Sequence, residues 1–355
     1  MSSSTDLPPV YFNHLYVVLD DKTYRAIQAS DFLRSAFPGM ERRGTLTAAG
    51  ETWYGTYFYC RDNYLEFFGA STGRHWQPGA QDGWAGVAFS TDQAGGVAKI
   101  RQALIDRYHY TPFSELRQLR TPQKTVNWFH QVKLVERLSL GSFDSWVMEY
   151  HPEIFSHKGI ELLSESDLTR EMYLSPWNKD RWEPLPANES PAPAKTASPT
   201  EEQPTSTTHG TGKDDERAAA MPKGKEISHQ PARVRKDERV PPTFTPNEMN
   251  FPRTPIFSRL TGATIHMDSA RAEHYADILQ MFGYEKEKSA STLALSAHGF
   301  TLLIKREEAA PPGYRLSSLR LEMARPSVAP MVFVFATGAR LALNENLTAE
   351  WFFGR

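Results

Sequence analysis

The chain has 355 residues, with 40 Lys and Arg against 42 Asp and Glu, so its formal net charge is −2. That near balance leaves no electrostatic footprint for nucleic acid or an anionic membrane, and the single cysteine, Cys60, has no partner for a disulfide scaffold. No apolar run approaches the ~20 residues that span a bilayer, and the opening MSSSTDLPPV lacks the basic and apolar regions of a leader. A cytoplasmic protein is expected.

The first predicted strand runs from Val10 to Asp20, VYFNHLYVVLD, rich in β-branched and aromatic residues. A helical pattern follows in DKTYRAIQASDFLRSAFPGM, with Tyr24, Ile27, Phe32 and Leu33 on one stripe, Asp20 or Asp21 as its cap, and Pro38-Gly39 at its end. A short strand over Glu41 to Thr47 precedes Thr52 to Arg61 and Tyr64 to Phe68, which turn at Asp62-Asn63. The order is βαβββ.

The same order begins again at Gly83. The segment GVAFSTD matches HLYVVLD in length and final Asp, and a helix over Gly95 to Tyr108 carries Val97, Ile100, Leu104 and Ile105 on one stripe. Strands VNWFHQVKLV (126–135) and SWVMEYHP (145–152) follow. From Pro184 to Asn250 the composition changes: 11 of the 25 prolines fall there, and Phe244 is the lone aromatic residue. Such a stretch buries too little apolar surface to offset backbone ordering, so a disordered linker is expected. After it, LTGATIHMD (260–268), an amphipathic helix over 271–284 and a hairpin over 291–307 read as a third unit. Ser317 to Met323 and Met331 to Leu343 add strands and leave a fourth unit incomplete.

Tandem βαβββ units with His14 in the opening strand and Glu66 in the closing strand resemble the glyoxalase, or vicinal oxygen chelate, superfamily. FNHLYVVLD, YFYCRDNYLEFFG and SWVMEYHP resemble an uncharacterised domain family within it. The resemblance implies an α+β fold of tandem βαβββ modules forming half-barrels. Residues 8–183 would be the paired metal- or ligand-binding domain, 184–250 the linker, and 251–355 a smaller module of similar type. It also implies a divalent metal in the cup of each pair, held from first and fourth strands. Carried over by position, the metal ligands fall on His14, Glu66 and Glu149, and the fourth position falls near Gly86, which has no side chain to ligate.

One His and two carboxylates suit Zn, Mn, Ni, Co or Fe, with open positions for a substrate that chelates through neighbouring oxygens. Isomerase or lyase chemistry on a small oxygenated metabolite is the first expectation, ahead of dioxygenase chemistry. Strand alternation turns Phe12, Tyr16 and Val18 inward with His14, Tyr64 and Phe68 with Glu66, and Val147 and His151 with Glu149. Trp128 and His130 share a face of the preceding strand. His130 or Tyr16 would assist proton transfer, with His130 or His151 a substitute for the missing ligand. His266 has Lys305 where a closing Glu would stand, so a second metal site is not expected. The alternative is a metal-free binding protein of bleomycin-resistance type, which the gap at Gly86 favours. The C-terminal module would serve assembly, making a second copy the expected macromolecular partner.

Overall fold

The computed structural model describes residues 7–73, 81–134, 143–164, 168–178, 255–307, 316–325, 330–336 and 338–354. The linker expected over 184–250 lies outside them. The first unit comprises β1 (Tyr11–Leu19), α1 (Asp21–Ala29), α2 (Asp31–Ala36), β2 (Gly39–Leu46), β3 (Thr52–Tyr59) and β4 (Tyr64–Gly69), closed by the short α3 (Ala70–Gly73). The second comprises β5 (Ala85–Ser90), α4 (Gly96–Tyr108), β6 (Ser114–Arg120), β7 (Thr125–Lys133) and β8 (Phe143–Tyr150), then α5 (Pro152–His157) and α6 (Arg170–Asn178). These eight strands form one mixed sheet, ordered β2-β3-β4-β1-β5-β8-β7-β6. It curls into a half-barrel whose edge strands meet: Thr47 bridges Leu119, and the Ala48 N–H donates to the Gln118 carbonyl at 3.0 Å.

The C-terminal half repeats the plan. β9 (Phe257–Asp268), α7 (Ser269–Met281), β10 (Glu285–Lys288), β11 (Thr292–Ala297) and β12 (Phe300–Glu307) are followed by β13 (Leu316–Met323), β14 (Met331–Phe335), β15 (Ala339–Leu343) and β16 (Thr348–Phe353). The sheet order, β10-β11-β12-β9-β13-β16-β15-β14, is that of the first sheet, with no described helix between β13 and β14. Among the described residues no helix is long and apolar enough to cross a membrane.

Local chemistry sets the boundaries. The Asp20 carboxylate accepts from the Lys22 and Thr23 amides at 3.1 and 2.9 Å, and Asp268 accepts from the Arg271 amide at 3.0 Å, so β1 and β9 each lead directly into the cap of the following helix. The single helix expected after Asp20 is two, because Ser30 takes an extended conformation and its hydroxyl caps α2 at the Leu33 amide. The strand expected over Met331 to Leu343 is likewise a hairpin, turned at Ala336 with φ of 52°.

Two apolar cores result. One joins the halves: Phe12 stacks on Phe300 at 3.9 Å between ring centroids, Phe67 meets Trp351 at 5.0 Å, and Phe32 stacks on Phe333 at 3.9 Å. Polar pins accompany it. The Asn63 side chain exchanges two hydrogen bonds with the Leu260 backbone, and the Ser145 and Tyr275 hydroxyls lie 2.6 Å apart. The other core fills the cup of the first sheet, where Tyr173 and Trp177 of α6 stack on Tyr150 and Tyr59 at 4.1 and 4.0 Å.

Candidate functional site

The concave face of the first sheet holds a cavity of about 630 Å³. β1 contributes His14 and Tyr16, β4 contributes Tyr64, Glu66 and Phe68, and β8 contributes Asp144 and Trp146. Trp53, Trp128 and Phe129 add to its walls, and Phe113 stands at the rim, 59% exposed.

A β-bulge explains how His14 reaches this face. β1 pairs Phe12 with Phe89 but His14 with Ala88, so Asn13 is an extra residue and the alternation shifts there. Phe12 therefore faces the joint core rather than the cup, which corrects the simple parity expectation; Tyr16 and Val18 do turn inward with His14. The bulge also sets Asn13 beside the imidazole, with Nδ1 of His14 at 2.7 Å from Asn13 Oδ1. A carbonyl oxygen only accepts, so Nδ1 donates and Nε2 keeps its lone pair. Nε2 faces Glu66 Oε1 at 3.9 Å.

Burial drives the two groups in opposite directions. It lowers the His14 pKa to about 3, with the nearby Arg43 guanidinium adding to the effect. It raises Glu66 to about 7, against the opposing pull of Arg43 and a hydrogen bond from Tyr64. At neutral pH the imidazole is uncharged and the carboxyl is the group that changes state. Arg43 is itself engaged, 3.7 Å from Glu41 and stacked 4.2 Å over the Tyr57 ring.

Strand register shows what stands at the other two positions expected to hold a metal. His14 is level with Tyr64 on the parallel β4, and Glu66 lies two residues further on. Gly86 is level with Asp144 on the parallel β8, and two residues further on stands Trp146. The second half thus presents a glycine and an indole. Glu149 belongs to the opposite face: its carboxylate accepts from the Gly95 and Val97 amides at 2.8 and 3.0 Å and caps α4. This corrects its placement with His14 and Glu66. His130 is level with Glu149 on β7, its ring 6.0 Å from that of His151, and neither His lines the cavity; Gln131 and Lys133 do. His151 caps α5 by accepting from the Glu153 amide.

The residues present do not fit the three-ligand metal centre that the resemblance implies. Only His14 Nε2 and Glu66 converge, while Asp144 holds Lys133 at 2.5 Å. Among the described residues no three His, Cys, Asp or Glu form a group able to hold a metal ion. In the second sheet the equivalents of His14 and Glu66 are Gly262, level with Thr301, and Leu303. Four residues along, His266 is level with Lys305 and bonds Glu307 two residues further on, a His–Glu pair in the same register but without a third ligand among the described residues.

Several cavity residues carried no signal in the pattern. Arg117 bonds Glu51 and Glu115 at 2.7 and 3.1 Å, and Lys133 lies 4.6 Å over the Trp146 ring. They come from β6, β7 and the chain before β3, and only closure of the sheet brings them together. The sequence shows Gly86 only as a position without a ligand; the structure supplies its role, which is to leave room for Tyr16, whose ring carbon lies 2.2 Å from where a Cβ would stand.

Residues 12–183 match the family described as "Family of unknown function (DUF5829)". No curated protein matches the chain. Among solved structures, a hypothetical protein from Staphylococcus aureus is similar at 9% identity and a TM-score of 0.43, covering 92% of this chain and 95% of that one. A "putative dioxygenase" from Bacillus subtilis is similar at 8% identity and a TM-score of 0.27, covering 97% of this chain and 85% of that one.

Proposed function

We propose that the N-terminal half-barrel is of the vicinal-oxygen-chelate type and that its cup binds a small organic molecule without a metal ion, His14 and Glu66 handling a proton on the bound molecule. The repeated βαβββ order within one curled sheet supports the fold assignment. The observation that carries the function is the buried His14–Glu66 pair in an aromatic cavity of about 630 Å³. A cavity of that size, largely apolar with a few convergent polar groups, is the usual form of a small-molecule site.

The chemistry follows from the two environments. A carboxyl held near 7 gives or takes a proton at neutral pH with little change in its own free energy, which is the condition for general acid–base work. The neutral His14, fixed by Asn13, accepts a hydrogen bond from the ligand through Nε2 and stays uncharged. Tyr16, on the same face, bounds the space above Glu66.

Elemental analysis of the purified chain, beside His14→Ala and Glu66→Ala, tests this reading. After incubation with Mn, Fe, Ni and Zn and removal of excess, no stoichiometric transition metal is expected in any of the three. About one ion per chain, lost in both variants, would overturn the reading and restore a metal-dependent isomerase or lyase.

A further inference from the structure

The cup's charges do not balance. Four carboxyl groups line it, Glu51, Glu66, Glu115 and Asp144, against two side-chain cations, Arg117 and Lys133, so an excess of negative charge remains even where Glu66 is protonated. Lys133 is matched one to one by Asp144, whereas a single guanidinium serves both Glu51 and Glu115. Glu66 makes no close ion pair with a charged side chain among the described residues; Arg43 acts on it only from a distance. The basic group beside it, His14, is uncharged, and Arg43 is held by Glu41 and by the Tyr59 hydroxyl at 3.4 Å.

Aromatic rings surround that carboxyl. Tyr64 and Phe68 flank Glu66 on β4 and Tyr16 is level with it on β1. The Tyr64 ring stacks on His14 at 4.4 Å and Trp146 carries the Lys133 ammonium 4.6 Å over its ring, which leaves Tyr16 and Phe68 as the rings beside the carboxyl. The faces of such rings carry negative potential and attract soft, weakly hydrated cations within about 6 Å of the centroid. They offer nothing to a small hard ion, which demands oxygen ligands. They also leave an anion worse off, since it would meet surplus carboxylate without a free guanidinium.

The geometry points to an organic cation as the cup's ligand: a substituted or quaternary ammonium on an apolar body, its charge set over Glu66 and against Tyr16 and Phe68, away from the Lys133 ammonium that already covers Trp146. This rests on the proposal that the cup binds small molecules and adds the ligand's charge class. The rest of the cavity, walled by Trp53, Trp128 and Phe129, takes the apolar body.

Three probes of one shape and different charge provide the test on the full chain: benzyltrimethylammonium, its neutral carbon isostere neopentylbenzene, and phenylmethanesulfonate. Trp53, Trp128 and Trp146 report occupancy through fluorescence. The cation is expected to bind about ten-fold tighter than the isostere, with the sulfonate weaker still, and Glu66→Gln is expected to remove about ten-fold from the cation alone. Circular dichroism of the variant confirms that its fold is retained. Binding of isostere or sulfonate as tightly as the cation overturns the charge assignment and leaves the cup a small-molecule site. A full set of probes without saturable quenching overturns both.

Discussion

Glu149 shows how one side chain can carry a site-like signal and serve the backbone. A carboxylate inside an apolar strand needs compensation, and a metal ion is one source. The structure supplies another, two amides at the start of α4. A signal for this was present: α4 begins at Gly95-Gly96, a start with no side-chain cap of its own, so an acceptor from elsewhere is required. Glu149→Ala is expected to lose about 1–2 kcal/mol of stability in denaturant unfolding while leaving probe binding unchanged. Loss of binding with stability intact would return Glu149 to the site. Glu66 carries the opposite expectation. Its pKa rises on folding from 4.5 to about 7, so the folded chain takes up a proton between those values. The stability contributed by its protonated form is fully present below 4.5 and is lost as pH rises through 7. Glu66→Gln should therefore gain on the wild type as pH is raised from about 5 to about 8, and parallel stability curves would contradict the shift. His14 and Glu66 were legible in the sequence because each is a polar residue at a repeat-defined position. Asn13, which fixes the His14 tautomer, was not, since a bulge has no periodic signature.

At the scale of elements, the period-2 and helical patterns located most strands and three of the main helices. They failed where a break falls inside an otherwise continuous apolar pattern. Ser30 divides one helical stripe, and Ala336 reverses a run that reads as a single strand. The hairpin at Ala336 has a consequence at the sheet's edges. The first sheet brings its edge strands together, and the second ends on β10, EKEK, and on β14, MVFVF. Alternating charge guards the first of these edges, while Val332 and Val334 are 64% and 70% exposed on the second. Antiparallel pairing of β14 with the same strand of another copy would place no like charges opposite one another. A concentration-dependent dimer is the expected outcome in sedimentation velocity, with Val334→Lys restoring the monomer. A wild type that remains monomeric at high concentration would remove the case for this edge.

Taken whole, the described halves share one core rather than lying in series. The βαβββ repeat revealed the separate units, but nothing in a repeat says which outer faces meet. Trp351, fully buried, touches Phe58 and Phe67 of the first sheet at 6.1 and 5.0 Å. Replacing it with Ala should cost about 3–5 kcal/mol. Because both halves draw on that core, unfolding should remain a single transition by near-ultraviolet and far-ultraviolet dichroism. Two transitions, with only the C-terminal one shifted, would show independent modules instead.

The crossing of Tyr16 over Gly86 couples two positions that lie far apart in the chain. A histidine at position 86 would not add a ligand, since its Cβ alone would overlap the Tyr16 ring at 2.2 Å. Tyr16 would have to shrink first, opening a void beside Phe68 and Trp146, and the indole at position 146 would then have to give way to an acid. Each step taken singly lowers packing before any gain in coordination. The residues that fill the second half of the cup thus hold one another in place: a side chain at position 86 requires a smaller one at 16, and a smaller one at 16 leaves Phe68 and Trp146 without that neighbour.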